Sequence, residues 1–122
     1  MKKIKSIAFA IVAILFSLQI TNAQSDKHQR TIGIRTQNIK VAGFCGMDKV
    51  RIEKAALGVD GVKAAKWDAA NQSLTLTYSI FKKEALDNVQ RKISALGNDT
   101  EKYRADDIAY QKLPPCCQYR SK

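Results

Sequence analysis

Between Gln37 and Tyr103 the apolar residues keep changing their spacing, and that alternation leaves few folds open. Ile39 and Val41 share one face of an extended segment. Ile52, Ala55, Ala56 and Val59 then recur at helical spacing, with Gly58 and Gly61 bracketing the stop. Val62 to Trp67 reads as a second strand. Asp68-Ala69-Ala70-Asn71-Gln72 reads as a turn, and Leu74, Leu76 and Tyr78 alternate beyond it, so a hairpin is expected. Leu86, Val89, Ile93 and Leu96 return to helical spacing, ended by Gly97-Asn98. Asp99 to Tyr103 predicts a short last strand. The order β-α-β-β-α-β closes as an antiparallel sheet with both helices on one face, the ferredoxin-like arrangement of the α+β class. Ile39, Val41, Ile52, Leu76, Leu86, Val89 and Ile93 are expected to meet in its core.

The segments on either side have other signatures. Met1-Lys2-Lys3-Ile4-Lys5 is a basic start, Ile7 to Leu18 is apolar except for Ser17, and Thr21-Asn22-Ala23 is a small-residue cleavage site. Residues 1–23 therefore predict a signal peptide cut before Gln24, with no stable membrane insertion afterwards. The apolar run is shorter than the roughly 20 residues that span a bilayer. Residues 24–36 read as a polar linker, in which His28 is a solvated residue. A domain over 37–104 follows, and then an extension over 105–122. In that extension Ala105 to Leu113 predicts a short helix stopped by Pro114-Pro115, ahead of Cys116-Cys117-Gln118-Tyr119-Arg120.

The formal charge of the 122-residue chain is +10, and removing Lys2, Lys3 and Lys5 with the leader lowers it to +7. The remaining lysines are scattered, with no aromatic-rich RNA-binding motif among them. They read as a solvated basic face able to steer an acidic partner, not as a nucleic-acid site. No Ser-His-Asp set or paired carboxylates suggest hydrolysis, so no enzymatic activity is expected.

The chemistry is concentrated in sulfur. Cys45, Cys116 and Cys117 outlast cleavage, an odd number, so complete intramolecular pairing is ruled out. Cys45 lies in Val41-Ala42-Gly43-Phe44-Cys45-Gly46-Met47-Asp48, between a strand and a helix. Unpaired N–H groups and the dipole at a helix N-terminus favour thiolate there. A thiolate binds soft ions or performs redox chemistry.

This stretch resembles the heavy-metal-associated domain, the fold of copper chaperones, of the N-terminal domains of metal-pumping P-type ATPases and of the periplasmic mercury-binding protein. The family motif is Gly-Met-x-Cys-x-x-Cys, followed three residues later by Ile-Glu. Counting back from Ile52-Glu53 places the two motif cysteines at 45 and 48, where this chain has Cys45 and Asp48. Gly61-Val62, Leu74-Thr75-Leu76-Thr77-Tyr78 and Ala95-Leu96-Gly97 extend the match over roughly residues 37–103. The resemblance implies a thiolate-held soft ion, Cu(I) first, with Hg(II) or Zn(II) as other candidates. It also implies delivery to a metal-transporting membrane ATPase or an acceptor metalloprotein.

The motif is degenerate. Asp48 is a hard donor, unsuited to Cu(I) though usable by Zn(II), and it also reads as a first-turn acid that stabilises the helix. Met47 sits inside the motif, where it offers a thioether or packs beneath the loop. The candidate ligand set is thus Cys45, Cys116, Cys117, Met47 and Asp48. For a tail sulfur to reach Cys45, the chain must fold back along a last strand of roughly 20 Å. A helix of about 12 Å and an extended Pro-Pro-Cys run of about 9 Å suffice for that return. Three functional classes follow. The leading one is an exported metal carrier or buffer working by thiolate exchange. The others are a metal-free interaction module with a disulfide between Cys45 and a tail cysteine, and a thiol redox protein.

Overall fold

The structure is a computed structural model and describes residues 32–121. The leader expected over 1–23 and His28 lie outside the described residues. The elements are β1 (Ile34–Lys40), α1 (Gly46–Leu57), β2 (Val62–Asp68), β3 (Ser73–Ser79), α2 (Ala85–Ala95) and α3 (Asp107–Gln111). Two 3-10 turns, Pro115–Cys117 and Tyr119–Ser121, complete the tail.

The three strands form an antiparallel sheet in the order β1-β3-β2, with Ile39 opposite Leu74 and Trp67 opposite Leu74. Alternation sends Leu74, Leu76 and Tyr78 of β3 to one face, where they are buried, while Thr75 stays exposed. Helices α1 and α2 cover that buried face. Ile52, Ala55 and Ala56 of α1 join Ala85, Val89 and Ile93 of α2 in one cluster with Ile39, Val41 and Trp67. This is the ferredoxin-like α+β sandwich. Leu86 is packed against the cluster but only partly buried. Trp67 anchors the end nearest Cys45, its indole N–H donating to the Val41 carbonyl at 3.0 Å.

The last strand is much shorter than its residues suggest. Among the described residues the Val41–Thr100 bridge pairs it with the β1 side, flanked by the Glu101 N–H donating to the Lys40 carbonyl at 3.0 Å and the Ala42 N–H donating to the Asp99 carbonyl at 2.8 Å. A local turn cuts it off: the Thr100 N–H donates to the Tyr103 carbonyl at 2.7 Å. The Tyr103 N–H in turn donates to Thr100 Oγ1 at 3.0 Å. Tyr103 is then held against α2 by its hydroxyl, 2.7 Å from Asp87 Oδ1. The tail therefore leaves the sheet close to the Cys45 loop, and the long return expected from a full strand is not needed.

The tail is docked by packing as well as by polar contacts. Leu113 and Ala105 are buried, whereas Ile108 is 70% exposed, so the apolar anchor of the extension is Leu113. Asp106 caps α3 by accepting from the Ala109 N–H at 2.6 Å. Gly97 makes the approach of α3 feasible. Its φ is +109°, and a Cβ there would lie 2.7 Å from the Ala109 carbonyl oxygen and 3.0 Å from Leu113 Cγ. Gly97→Ala is expected to cost about 1–3 kcal/mol from the unfavourable backbone conformation and the clash, and to loosen the tail before the sheet. Urea unfolding together with amide exchange at Lys112 and Leu113 measures both effects. Unchanged protection there would refute the docking role.

Candidate functional site

The loop that presents Cys45 is fully hydrogen-bonded along its N–H groups. Val41 donates to the Gln72 carbonyl at 3.0 Å and Ala42 to the Asp99 carbonyl at 2.8 Å. Gly43 donates to Gln72 Oε1 at 2.8 Å. Phe44 and Cys45 both donate to Asp48 Oδ2, at 2.7 and 3.2 Å. Gln72 also returns a bond from Nε2 to the Gly43 carbonyl at 2.6 Å, so the hairpin tip clamps the loop from the β2–β3 side. Gly43 is required by close approach, since a Cβ there would lie 2.8 Å from Trp67 Cζ2. With its donors satisfied, the loop holds Cys45 at one place.

Cys45 is the N-cap of α1, and Asp48, three residues on, is the acid of a capping box. Asp48 is fully buried. One carboxylate oxygen accepts the two loop N–H groups; the other accepts from Asn98 Nδ2 at 3.0 Å and from the Arg51 guanidinium. Asn98 ties the group together, donating to the Ala42 carbonyl at 2.9 Å and accepting from Arg51 Nε at 3.2 Å. The lone pairs of Asp48 are thus committed to holding the loop and the helix start. Its Oδ2 lies 3.7 Å from the Cys45 sulfur, and its negative charge opposes the influence of the helix N-terminus there. Asp48→Ala is expected to destabilise the domain by about 2–4 kcal/mol, because it strands two backbone donors, Arg51 and Asn98. A urea midpoint within error of the parent would sink this assignment.

The tail supplies the remaining sulfurs. Cys117 is fully buried and is joined to Cys45 by a disulfide, with a Cα–Cα distance of 5.5 Å across a sequence separation of 72. Cys116 is free and exposed, its sulfur 3.9 Å from that of Cys117. The three sulfurs lie within 4.8 Å of one another. Met47 is 49% exposed on the first turn of α1.

Tyr119 and Arg120, which sequence spacing did not single out, fasten the tail independently of sulfur. The Arg120 guanidinium donates to Asp99 Oδ1 at 2.8 Å, to the Ala105 carbonyl at 2.6 Å and to Asp107 at 3.0 Å. It also lies 4.3 Å from the centre of the Tyr110 ring. Burial alone would raise the Asp99 carboxyl, but the bonds from Arg120 and the Ala105 N–H outweigh it and hold the group below the usual carboxylate range. Tyr119 accepts from the Asp99 N–H at 2.7 Å and donates to the Gly97 carbonyl at 3.1 Å. Burial pushes its phenol up to about 12, so it stays a neutral donor.

Fold and loop together define a domain of the heavy-metal-associated type, with its second loop cysteine replaced by the structural acid Asp48. Among solved structures it is similar to a CopZ metallochaperone, at 27% identity over 54% of this chain and 98% of that one, with a TM-score of 0.50. It is also similar in fold to a putative copper-ion-binding protein from Bacillus anthracis str. Ames, at 21% identity over 56% of this chain and 96% of that one, with a TM-score of 0.50. No protein-family model matches the chain, and no curated protein matches it. A metallochaperone moves an ion without transforming it, and a domain of this type is not an enzyme.

Proposed function

We propose that the reduced protein is an exported carrier or buffer of a soft metal ion. Cu(I) is the first candidate, with Hg(II) or Zn(II) as alternatives. The observation that supports this reading is the convergence of Cys45 with the tail cysteines, all three sulfurs lying within 4.8 Å. The motif has lost its second loop cysteine, and the tail returns sulfur to the same helix N-terminus. A donor set of thiolates favours soft ions over hard ones. The likeness to a CopZ metallochaperone points the same way. Transfer would proceed by ligand exchange: a thiolate of an acceptor metalloprotein or of a metal-transporting ATPase replaces one sulfur at a time. The basic surface would favour an acidic acceptor.

The disulfide supports a second reading, a metal-free interaction module stapled by Cys45 and Cys117. The two readings differ by two electrons and two protons, which convert the disulfide to two thiols. Metal content and free-thiol count, measured on protein purified anaerobically from its exported location, separate them. A bound soft ion with reduced thiols supports the carrier. Metal-free protein with one free thiol supports the staple.

A further inference from the structure

We infer that the reduced site holds its ion with three thiolates, Cys116 being the third and outermost ligand, in a pocket that the tail latch keeps assembled without the disulfide. This rests on the carrier reading above and assigns the coordination number that reading leaves open.

The placement of Cys116 carries the argument. A thiolate that attacks a disulfide approaches along the sulfur–sulfur axis. With a disulfide bond of about 2.05 Å and 3.9 Å between Cys116 and Cys117 sulfurs, in-line attack on Cys117 would put the Cys116 sulfur about 6 Å from that of Cys45. The structure puts it within 4.8 Å. Cys116 therefore lies beside the Cys45–Cys117 bond and makes a triangle with it, which is poor geometry for exchange. The triangle suits coordination instead. Three thiolates in a plane around an ion at about 2.3 Å lie about 4 Å apart, and the Cys116–Cys117 edge already measures 3.9 Å. When a dithiol reductant gives the disulfide two electrons and two protons, becoming a disulfide itself, Cys45 and Cys117 are two thiols and need to separate by about 2 Å, within reach of side-chain rotation.

What keeps the triangle together after reduction is polar and aromatic. The Arg120–Asp99 pair, the Tyr119 hydroxyl and the buried Leu113 hold the tail on either side of Cys116-Cys117. The loop side is fixed by Gln72 and Asp48. Binding is balanced in charge and protons: three thiols release three protons as three metal–sulfur bonds form. Burial of Cys117 and exposure of Cys116 set the order of exchange. An incoming thiolate displaces Cys116 first, while the other two sulfurs retain the ion.

The test is X-ray absorption on the full mature chain, reduced and loaded anaerobically with Cu(I), beside Cys116→Ser, which leaves the disulfide partners and the latch intact. Three sulfurs per copper in the parent and two in Cys116→Ser, with shorter copper–sulfur bonds and affinity lowered at least about tenfold, are expected. Two sulfurs in the parent, or no change in Cys116→Ser, overturns the three-thiolate site while leaving the carrier intact. Failure of the reduced parent to bind Cu(I), Hg(II) or Zn(II) at all overturns the carrier and this inference with it.

Discussion

Reducing the Cys45–Cys117 disulfide is expected to lower the stability of the domain by about 4 kcal/mol. The bond closes a loop of 72 residues, and loop-closure entropy gives about 3 kcal/mol for 15 residues and about 4.7 for 100. The effect acts on the unfolded chain, because Arg120, Tyr119 and Leu113 keep the tail docked in the folded one. For a domain of this size each kcal/mol moves the midpoint by about 4–8 °C, so a fall of roughly 15–30 °C is anticipated. Cys45→Ser in oxidising buffer should match the reduced parent, and Cys116→Ser should match the oxidised one. Calorimetry with and without reductant decides. Equal midpoints in both conditions would mean that the bond does not stabilise the folded protein.

The parts of this molecule that could be read in advance are those with a period. Ile39, Val41, Ile52, Leu76, Val89 and Ile93 announce themselves by spacing and are buried together. What escaped detection is polar and distant in sequence. Gln72 clamps Gly43 from 29 positions away, Asn98 holds Asp48 from 50, and Arg120 grips Asp99 from 21. A side-chain hydrogen bond of that kind imposes no repeat on either partner, so nothing in the spacing marks it. The truncated last strand has a related cause: Thr100 and Tyr103 bond to each other, and a short local turn overrides a run that composition alone reads as extended. Asp48 was readable as a first-turn acid because its distance from the N-cap is fixed by helix geometry. That it also gathers Arg51 and Asn98 could be seen only once the fold was assembled.

Removing the tail after Leu113 is expected to leave the domain folded and to weaken soft-metal binding by about a thousandfold or more. The core cluster runs from Ile39 to Ile93 and contains no residue beyond Leu113, so the sheet and both long helices keep their packing. The cost falls on the site. Cys45 would be the sole remaining cysteine. Asp48 has its oxygens engaged by Phe44, Cys45, Asn98 and Arg51, and Met47 offers only a thioether, a weaker donor than thiolate. Losing strong metal–sulfur bonds costs several kcal/mol, and each 1.4 kcal/mol is about tenfold. Cys45→Ser in the full chain should do comparable damage. Combining it with the truncation should add little, because both changes remove the same two-ended site and their effects cannot be independent. Competition against a Cu(I) chelator, run anaerobically on reduced protein, measures all four forms. Full affinity in the truncated chain would move the site to Cys45 with Met47, or to a dimer sharing two Cys45 thiolates. Sedimentation of the loaded protein would tell these apart, since only the dimer doubles the mass.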